Sequence, residues 1–425
     1  MNSKQIFKSP FVRNASVLTL GTAFAQFLPM LLYPVLGRIY TPEQFAALAA
    51  FTALITVLQV VGSCKYETAI LVSDSDKDAA EVFSLAIILN IFLILVLYLI
   101  FIIFGVKFTF QYSSGLKELI WLAPIGCLFL NVYNCYNEWC VRKKYFKKLS
   151  LNKITYSTSV TLGKYLTYYT PMQSIGLTLG DFFGRLLTAI ICAIRIIKLD
   201  VESFRQVSLK GILKQGRLYI RFPLYSMPAQ LLNTVSSAAP IFILNYFYSQ
   251  ETVGYFSMTM TVLLLPIKVI SYAVRDVFRN KANDLYKKTG RFDAFFKKIF
   301  IIIFAITTVI CVIFGPFLPT IFTFVLGKQW YMSGIFSQIL LPMIGLDFVA
   351  MSLSGVFIVT QKLRALFIWQ ISYFIMTIGT LYLTPYFGAN IENTLIVFCA
   401  GRFIIYLYQI ISSYIYSKGN GVHCK

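Results

Sequence analysis

Six charged residues lie well inside long apolar stretches of this sequence, away from their last few residues. They are Asp181, Arg185, Asp347 and Arg402, near the middle of their stretches, and Lys164 and Lys268, nearer an end. A charge at the centre of a bilayer costs about 2.5–3.5 kcal/mol even on lenient insertion scales, so such residues tend to face a cavity or a partner. Because four of the six are basic, the set favours binding of an anionic substrate.

Most of these residues also have a purely structural interpretation. Asp181 and Arg185 stand four residues apart on one helix face, where they either neutralise each other or form part of a site. Lys164 and Lys268 either line a cavity or extend their ammonium groups to the lipid headgroups. Arg402 is deep in an apolar run, and we predict that it lines a cavity. The four basic residues are the predicted substrate-binding set.

Three acidic residues are candidates for coupling transport to an ion. Asp347 has no basic residue within a helical turn, so when buried it tends to hold a proton unless a cation or another helix supplies positive charge. Asp181 and Glu138 are the next candidates. Glu138 stands beside Asn131, Asn134 and Asn137, which recur every three residues as a polar stripe that either lines a path or only hydrogen-bonds neighbouring helices.

The sequence does not place residues for catalysis or metal binding. The only histidine, His423, stands near the C-terminus, which rules out a histidine-based triad and a histidine-rich metal site. None of the eight cysteines falls in a predicted external loop, so none is placed for an oxidised pair. There is also no glycine-rich phosphate loop. We predict no catalytic residue, no metal and no cofactor.

The apolar stretches themselves recur along the whole chain, and each approaches the roughly 20 residues of helix that cross a bilayer. They predict an all-α membrane protein with about twelve transmembrane helices, near residues 14–36, 45–64, 79–104, 116–140, 150–170, 174–194, 222–247, 253–274, 299–318, 332–359, 366–384 and 394–416.

The basic residues between these stretches are distributed unevenly. The N-terminal tail and the even-numbered gaps hold 29 of the 38 Lys and Arg residues, whereas the odd-numbered gaps hold four. Cytoplasmic loops retain Lys and Arg, so we predict a multi-pass protein with both termini in the cytoplasm. The net charge of +21 belongs to these loops, where it also suits contacts with anionic membrane lipids. We therefore predict no binding of nucleic acid.

A short internal repeat relates the two halves of the chain at an offset of 208 residues. It aligns residues 40–46 (YTPEQFA) with 248–254 (YSQETVG), Arg13 with Arg221, and Asp76 with Asp284. Six helices in each half give both halves the same orientation in the membrane. We predict a six-helix lobe over 1–200, a second over 201–425 and a central cavity between them, which is a common transporter design.

About the first 80 residues resemble the start of the Wzx-type polysaccharide flippases, which belong to the multidrug, oligosaccharidyl-lipid and polysaccharide exporter superfamily. The resemblance comprises Arg13-Asn14, Gly21, Gln26, Pro29, Pro34, the segment Arg38-Ile39-Tyr40-Thr41-Pro42-Glu43-Gln44-Phe45, the segment Lys65-Tyr66-Glu67-Thr68-Ala69-Ile70 and the acidic loop Asp74 to Asp78.

This resemblance implies a transporter of the bacterial inner membrane and not an enzyme. Its substrate is expected to be an undecaprenyl-diphosphate-linked oligosaccharide, such as an O-antigen repeat unit of lipopolysaccharide, moved by alternating access in antiport with H⁺ or Na⁺. A polysaccharide polymerase and chain-length machinery are the expected protein partners. Two lobes around a cationic cavity are the expected fold.

Two other functions stay open. An exporter of cations or drugs with the same fold is expected to have a net acidic cavity, which the four basic and two acidic intramembrane residues disfavour. A membrane polymerase or ligase acting on lipid-linked sugars is expected to carry a large periplasmic loop with Arg or His in it. Every predicted external gap is short and poor in both.

Overall fold

The computed structural model describes residues 10–104 and 119–419, and within these ranges it is helical and contains no strand. Residues 1–9, 105–118 and 420–425 lie outside the described residues. They include parts of both predicted tails, with His423, the predicted external loop at 105–115 and the first residues of the predicted stretch at 116–140. The helices of 20 residues or more are α1 Pro10–Ile39, α2 Pro42–Ser63, α3 Asp76–Phe104, α4 Ala123–Arg142, α5 Phe146–Leu166, α6 Gln173–Leu199, α7 Met227–Phe247, α8 Gln250–Thr289, α9 Asp293–Phe314, α10 Tyr331–Leu353, α11 Leu363–Tyr386 and α12 Ile391–Ser417.

Each long helix overlaps one predicted apolar stretch, which confirms the all-α prediction. Within the described ranges, nine helices are long and apolar enough to cross a membrane. The helices α4, α5 and α6 fall outside this set because polar and charged residues interrupt them, among them Glu138, Lys164, Asp181 and Arg185. The number of twelve crossings stays a prediction.

Shorter helical segments connect the long helices. They are Tyr66–Ala69, Val201–Arg205, Leu209–Leu218, Leu318–Leu326 and Val356–Val359, with a π-helical turn at Phe222–Ser226 before α7. Proline lies inside several helices, at Pro29 and Pro34 in α1, Pro240 in α7 and Pro266 in α8. Each proline removes one backbone hydrogen bond and bends its helix.

Contacts divide the chain into an N-terminal unit, Met1–Ala238, and a C-terminal unit, Ala239–Lys425, with the division inside α7. The predicted boundary between six-helix lobes at residue 200 stays a prediction. Seven cysteines lie in the described ranges, and all of them are free thiols.

The two units share a local arrangement at the positions that the internal repeat aligns. The Tyr40 hydroxyl, at the start of α2, donates to the Lys164 carbonyl oxygen at 2.8 Å. The Tyr248 hydroxyl, at the start of α8, donates to the Ala389 carbonyl oxygen at 2.8 Å. Each tyrosine therefore fastens the start of one long helix to a distant hairpin of its own unit, which supports the repeat.

Candidate functional site

A buried triad of charged side chains lies in the N-terminal unit. The two oxygens of Asp181, on α6, bind different bases. Oδ1 lies 3.0 Å from Lys164 Nζ, and Oδ2 lies 2.5 Å from Arg185 Nε. All three side chains are at most 12% exposed. The triad carries one net positive charge.

Close packing of α5 against α6 brings Lys164 to Asp181. A side-chain carbon built on Gly163 would collide with the Gly180 carbonyl oxygen, and one built on Gly180 would collide with the Lys164 backbone nitrogen. Glycine at both positions thus lets the two backbones touch. The structure places the Lys164 ammonium on Asp181, so the alternative in which this lysine reaches the headgroups is wrong for this structure.

A column of aromatic rings extends from the triad towards the end of α4 and the start of α5. The Arg185 guanidinium carbon lies 5.7 Å from the centroid of the Tyr156 ring, a distance typical of a cation–π contact. The Tyr156 ring stacks on the Tyr133 ring with centroids 4.5 Å apart. This column joins the triad to the helix face that carries Asn137 and Glu138.

A cavity of about 360 Å³, which we call the inner cavity, lies where α2 ends, α4 ends and α5 begins. Its polar lining consists of four charged side chains, three amides and one hydroxyl: Lys65, Glu67, Glu138, Lys153, Gln59, Asn134, Asn137 and Thr68. The predicted topology puts this end of the N-terminal unit on the cytoplasmic side. The polar stripe of α4 therefore lines an open space and does more than bind neighbouring helices.

Some groups of the inner cavity are already engaged. The Lys65 ammonium lies 3.1 Å from Glu67 Oε1, and the Lys153 ammonium donates to Thr22 Oγ1 at 3.1 Å. Asn152 donates to Asn137 Oδ1 at 2.6 Å. The second carboxylate oxygen of Glu67, Oε2, is buried and has no hydrogen-bond partner among the described residues.

Lys153, which lines the inner cavity, is not among the site residues that the sequence analysis predicts. A signal for its true position exists in the sequence. The loop between α4 and α5 is only Lys143–Tyr145, so Glu138 and Lys153 stand on neighbouring antiparallel helices, near the same end.

In the C-terminal unit, Arg402 is buried on α12 and its partners are neutral. Its Nε donates to Thr377 Oγ1 at 3.1 Å, and its Nη1 donates to the Tyr373 hydroxyl. The guanidinium carbon lies 3.9 Å from the Tyr373 ring centroid and 5.0 Å from that of Phe398. Within the described ranges, no carboxylate oxygen lies within 4.0 Å of this guanidinium.

Asp347 on α10 lies near two bases of other helices. Arg402, Lys268 and Tyr406 are its electrostatic neighbours. Whether Asp347 holds a proton or is compensated by a base of another helix stays a prediction. Lys268 itself is exposed on α8.

The predicted site residues thus form two groups and one separate position. Lys164, Asp181 and Arg185 meet in the N-terminal unit, and Asp347, Arg402 and Lys268 are neighbours in the C-terminal unit. Glu138 belongs to the inner cavity, apart from both groups. The roles of these residues in substrate binding and ion coupling stay predictions.

A further ionic cluster fixes the predicted cytoplasmic end of the N-terminal unit. Asp76 binds Arg142 Nε at 3.1 Å and Lys143 Nζ at 2.6 Å, and Lys143 also lies 3.7 Å from Asp200. The hydrogen bond to Asp76 raises the pKa of Lys143 above its ordinary value. Arg142 also donates to the Ser73 carbonyl oxygen at 2.5 Å, so the cluster ties the start of α3 to the end of α4.

Comparison with known proteins gives one family and a fold. A family described as "Polysaccharide biosynthesis protein" matches residues 35–334. No curated protein matches the chain in sequence. The solved structure "Lipid II flippase MurJ, inward closed conformation" is similar with a TM-score of 0.72, over 94% of this chain and 89% of that chain, at 14% identity.

Two structures of multidrug resistance MATE family transporters of the MOP superfamily are similar as well. The one in an inward-facing conformation has a TM-score of 0.70 at 16% identity, and the alignment covers 93% of this chain and 97% of that chain. The one in an outward-facing conformation has a TM-score of 0.60 at 17% identity, with 96% and 94% covered. At these identities, the similarity establishes the fold alone.

Proposed function

Because this chain belongs to the family of polysaccharide biosynthesis proteins, we propose that it is a flippase for undecaprenyl-diphosphate-linked oligosaccharide. The substrate carries an O-antigen or a similar surface polysaccharide repeat unit. It moves from the cytoplasmic to the periplasmic leaflet of the bacterial inner membrane. No covalent chemistry is required, because the two lobes expose a basic site to one side of the membrane and then to the other.

The observation that carries this proposal is the state of Arg402. A diphosphate is at least doubly anionic, and moving it through hydrocarbon without compensation is prohibitive. Arg402 is buried, and its partners are the neutral Tyr373 and Thr377, so its charge is not cancelled by an ion pair within 4 Å in the described ranges. A guanidinium binds phosphate oxygens through two parallel hydrogen bonds. Arg402 is therefore the proposed anchor of the diphosphate.

The other three bases are proposed to contribute to substrate binding, each within its own unit. Lys268 is exposed on the C-terminal unit and supplies a second charge there. Arg185 and Lys164 share Asp181 and retain one net positive charge, which attracts the anion from the N-terminal lobe. The lipid tail stays in the bilayer while the headgroup crosses.

Asp347 is the proposed ion-coupling residue. Its carboxylate lies near Arg402 and Lys268, so a diphosphate bound to these bases and a proton or Na⁺ on Asp347 influence one another directly. Such competition drives transport only when substrate and ion favour different states of the lobes. Asp181 is held by two bases, and Glu138 shares its cavity with two lysines, so both suit this role less well.

Reconstituted vesicles test the substrate class. The purified protein is inserted into vesicles that contain undecaprenyl-diphosphate-linked oligosaccharide, and a membrane-impermeant glycosidase reports which leaflet holds the sugar. We expect the protein to raise the rate of exchange between leaflets, and empty vesicles serve as the control. A parallel assay with the cation ethidium tests the rival function. Transport of ethidium without any movement of the lipid would contradict the proposal and favour a cation exporter.

The cellular context follows from the same proposal. A polysaccharide polymerase and chain-length machinery use the translocated units in the periplasm, so they are the proposed functional partners. H⁺ or Na⁺ supplies the driving force. Both termini are proposed to lie in the cytoplasm, which fusions of reporter enzymes after Lys148, Lys288, Gly37 and Gly327 test directly.

A further inference from the structure

The inner cavity of the N-terminal unit has a charge balance that the diphosphate site does not need. Its charged lining comprises two carboxylates and two ammonium groups, on Glu67, Glu138, Lys65 and Lys153. These charges cancel, so the cavity attracts neither an anion nor a cation by net charge. At about 360 Å³, it falls in the range of small-molecule pockets, about 300–1,000 Å³.

The polar groups of the inner cavity include donors and acceptors that the protein leaves open. Within the described ranges, the side-chain amide of Asn134 makes no hydrogen bond, and the carboxylate of Glu138 makes no ion pair. Glu67 Oε2 is a buried acceptor without a partner. The groups of the lining that are open to a ligand are therefore the Glu138 carboxylate and the Asn134 side-chain amide. An amide offers both donors and an acceptor, whereas a carboxylate only accepts.

Two simpler occupants fit these observations poorly. Among the described residues, no group of three or more His, Cys, Asp or Glu side chains is placed to hold a metal ion, and Lys65 already occupies one oxygen of Glu67. A cation would therefore meet two lysines in a space far larger than it fills. A phosphate would meet two carboxylates. A neutral molecule with many hydroxyl groups matches both the charge balance and the mixture of donors and acceptors.

We propose that the inner cavity binds one sugar unit of the lipid-linked oligosaccharide and selects it by its hydroxyl pattern. This inference rests on the proposed flippase function. Each sugar hydroxyl both donates and accepts, so it can donate to Glu138 while it accepts from Asn134 or Lys153, all three of which line the cavity. Val141 and Leu149 supply the apolar part of the lining. A site built to bind hydroxyl groups rejects an analogue that lacks one, because buried partners are left unpaired.

The position of the inner cavity suits selection of the substrate before transport. It is formed by the end of α2, the end of α4 and the start of α5, on the side predicted to be cytoplasmic. The oligosaccharide is presented on that side. Recognition of a sugar here uses residues other than Arg402, the proposed diphosphate anchor, so each can be removed by substitution without the other.

Binding of free sugars to the full-length protein in lipid nanodiscs tests this inference. The probes are glucose, galactose, N-acetylglucosamine and N-acetylgalactosamine, with NaCl and sodium diphosphate as separate probes. Fluorescence of Trp139, next to Glu138 on α4, and the melting temperature are the two readouts. We expect at least one sugar to change both readouts. Glu138→Gln should weaken the binding of that sugar by about tenfold or more, because a hydrogen bond to a charged group contributes that much to affinity.

Two further variants distinguish a loss of binding from a failure to fold. Asn134→Ala removes an open amide without changing charge, and we expect it to weaken the same sugar. Glu202→Gln removes an exposed carboxylate outside the cavity and should leave binding unchanged. Gel filtration and the melting temperature without ligand identify any variant that fails to fold, in which case the other cavity variant decides.

The outcomes separate this inference from the proposed function. If no sugar binds but sodium diphosphate still binds through Arg402, the inner cavity has no sugar site and the flippase proposal stands. If NaCl alone changes the wild-type readouts and Glu138→Gln abolishes that change, the cavity is a cation site and the inference is overturned. If neither sugar nor diphosphate binds, both proposals fail.

Discussion

The two units of this protein hold buried basic residues in opposite ways. In the N-terminal unit, Asp181 binds Lys164 at 3.0 Å and Arg185 at 2.5 Å, so two positive charges share one carboxylate. In the C-terminal unit, Arg402 is held by the hydroxyls of Tyr373 and Thr377. The described ranges contain no carboxylate within 4 Å of it.

This difference indicates that the charges of the triad stabilise helix packing, whereas the charge of Arg402 is available to bind a ligand. Removing one partner of a buried ionic group is strongly destabilising, because the remaining charges stay uncompensated. The Lys164–Asp181–Arg185 triad therefore joins α5 to α6. Because Asp181 neutralises much of the positive charge, the triad binds an anionic substrate less strongly than two free bases would. Arg402 keeps its charge because hydroxyls and aromatic rings satisfy its geometry without neutralising it. We expect substitutions in the two units to separate into effects on stability and effects on transport.

Replacing Arg402 by alanine should have the largest effect on transport. Arg402→Ala removes the proposed diphosphate anchor, and we expect cells that depend on this protein to lose surface polysaccharide. Arg402→Lys should restore transport only in part, because a lysine lacks the planar fork of the guanidinium. Surface polysaccharide is measured on gels, and the amount of protein in the membrane is measured in parallel.

Arg291→Ala is the matched control for this prediction. Arg291 is an exposed arginine of the same unit, paired with Asp293 at 2.9 Å, and such surface pairs contribute little. Normal polysaccharide from Arg402→Ala would remove Arg402 from the substrate site. Loss of the folded protein, with Arg402→Lys restoring its level but not its activity, would keep a binding role.

Replacing Asp347 by asparagine should uncouple transport from the ion gradient. Asp347→Asn mimics a permanently protonated carboxyl next to Arg402 and Lys268. We expect the lipid-linked oligosaccharide to bind but not to accumulate against a gradient. Vesicles with and without an imposed pH or Na⁺ gradient measure this. If the variant keeps the wild-type response to both gradients, coupling lies elsewhere, and Asp181 and Glu138 are the next residues to change.

Replacing Asp181 by alanine should reduce stability more than any single change of Arg402. Asp181→Ala leaves Lys164 and Arg185 buried side by side, which we expect to cost about 3–5 kcal/mol. The apparent melting temperature in detergent measures the loss. The triple variant Lys164→Met, Asp181→Leu, Arg185→Met replaces the triad by apolar groups and should recover much of the stability. A stable Asp181→Ala protein without transport would show that the triad is a binding site.

The elements and one ion pair were predictable from the sequence. Asp181 and Arg185 are four residues apart on one helix, so their pairing follows from helix geometry alone. The apolar stretches located α4, α5 and α6, although polar and charged residues interrupt them. These features depend on positions that are near one another in the chain.

Contacts between helices were not predictable in the same way. The partner of Lys164 depends on the approach of Gly163 to Gly180, and the neutral surroundings of Arg402 depend on how α11 rotates towards α12. Helices that are apolar on most sides leave this rotation undetermined by the sequence pattern. The role of Lys153 in the inner cavity was missed for the same reason.

The smallest expected effect is the loss of stability when either of the two tyrosines that the internal repeat aligns is replaced. Because Tyr40 and Tyr248 make matched contacts, their replacement compares the two units. Tyr40→Phe removes the hydrogen bond to the Lys164 carbonyl and a longer contact, 3.5 Å, with Thr167 Oγ1. Tyr248→Phe removes bonds to the Ala389 carbonyl and, at 2.6 Å, to Thr394 Oγ1. Each change should cost about 0.5–1.5 kcal/mol. Tyr40 is only 1% exposed, whereas Tyr248 is half-buried, where water can replace the lost donor. We therefore expect Tyr40→Phe to lower the melting temperature more, and the double variant to show additive losses because the tyrosines share no partner. A larger loss from Tyr248→Phe would show that the second contact, to Thr394, outweighs burial and that the repeat is not energetically symmetric.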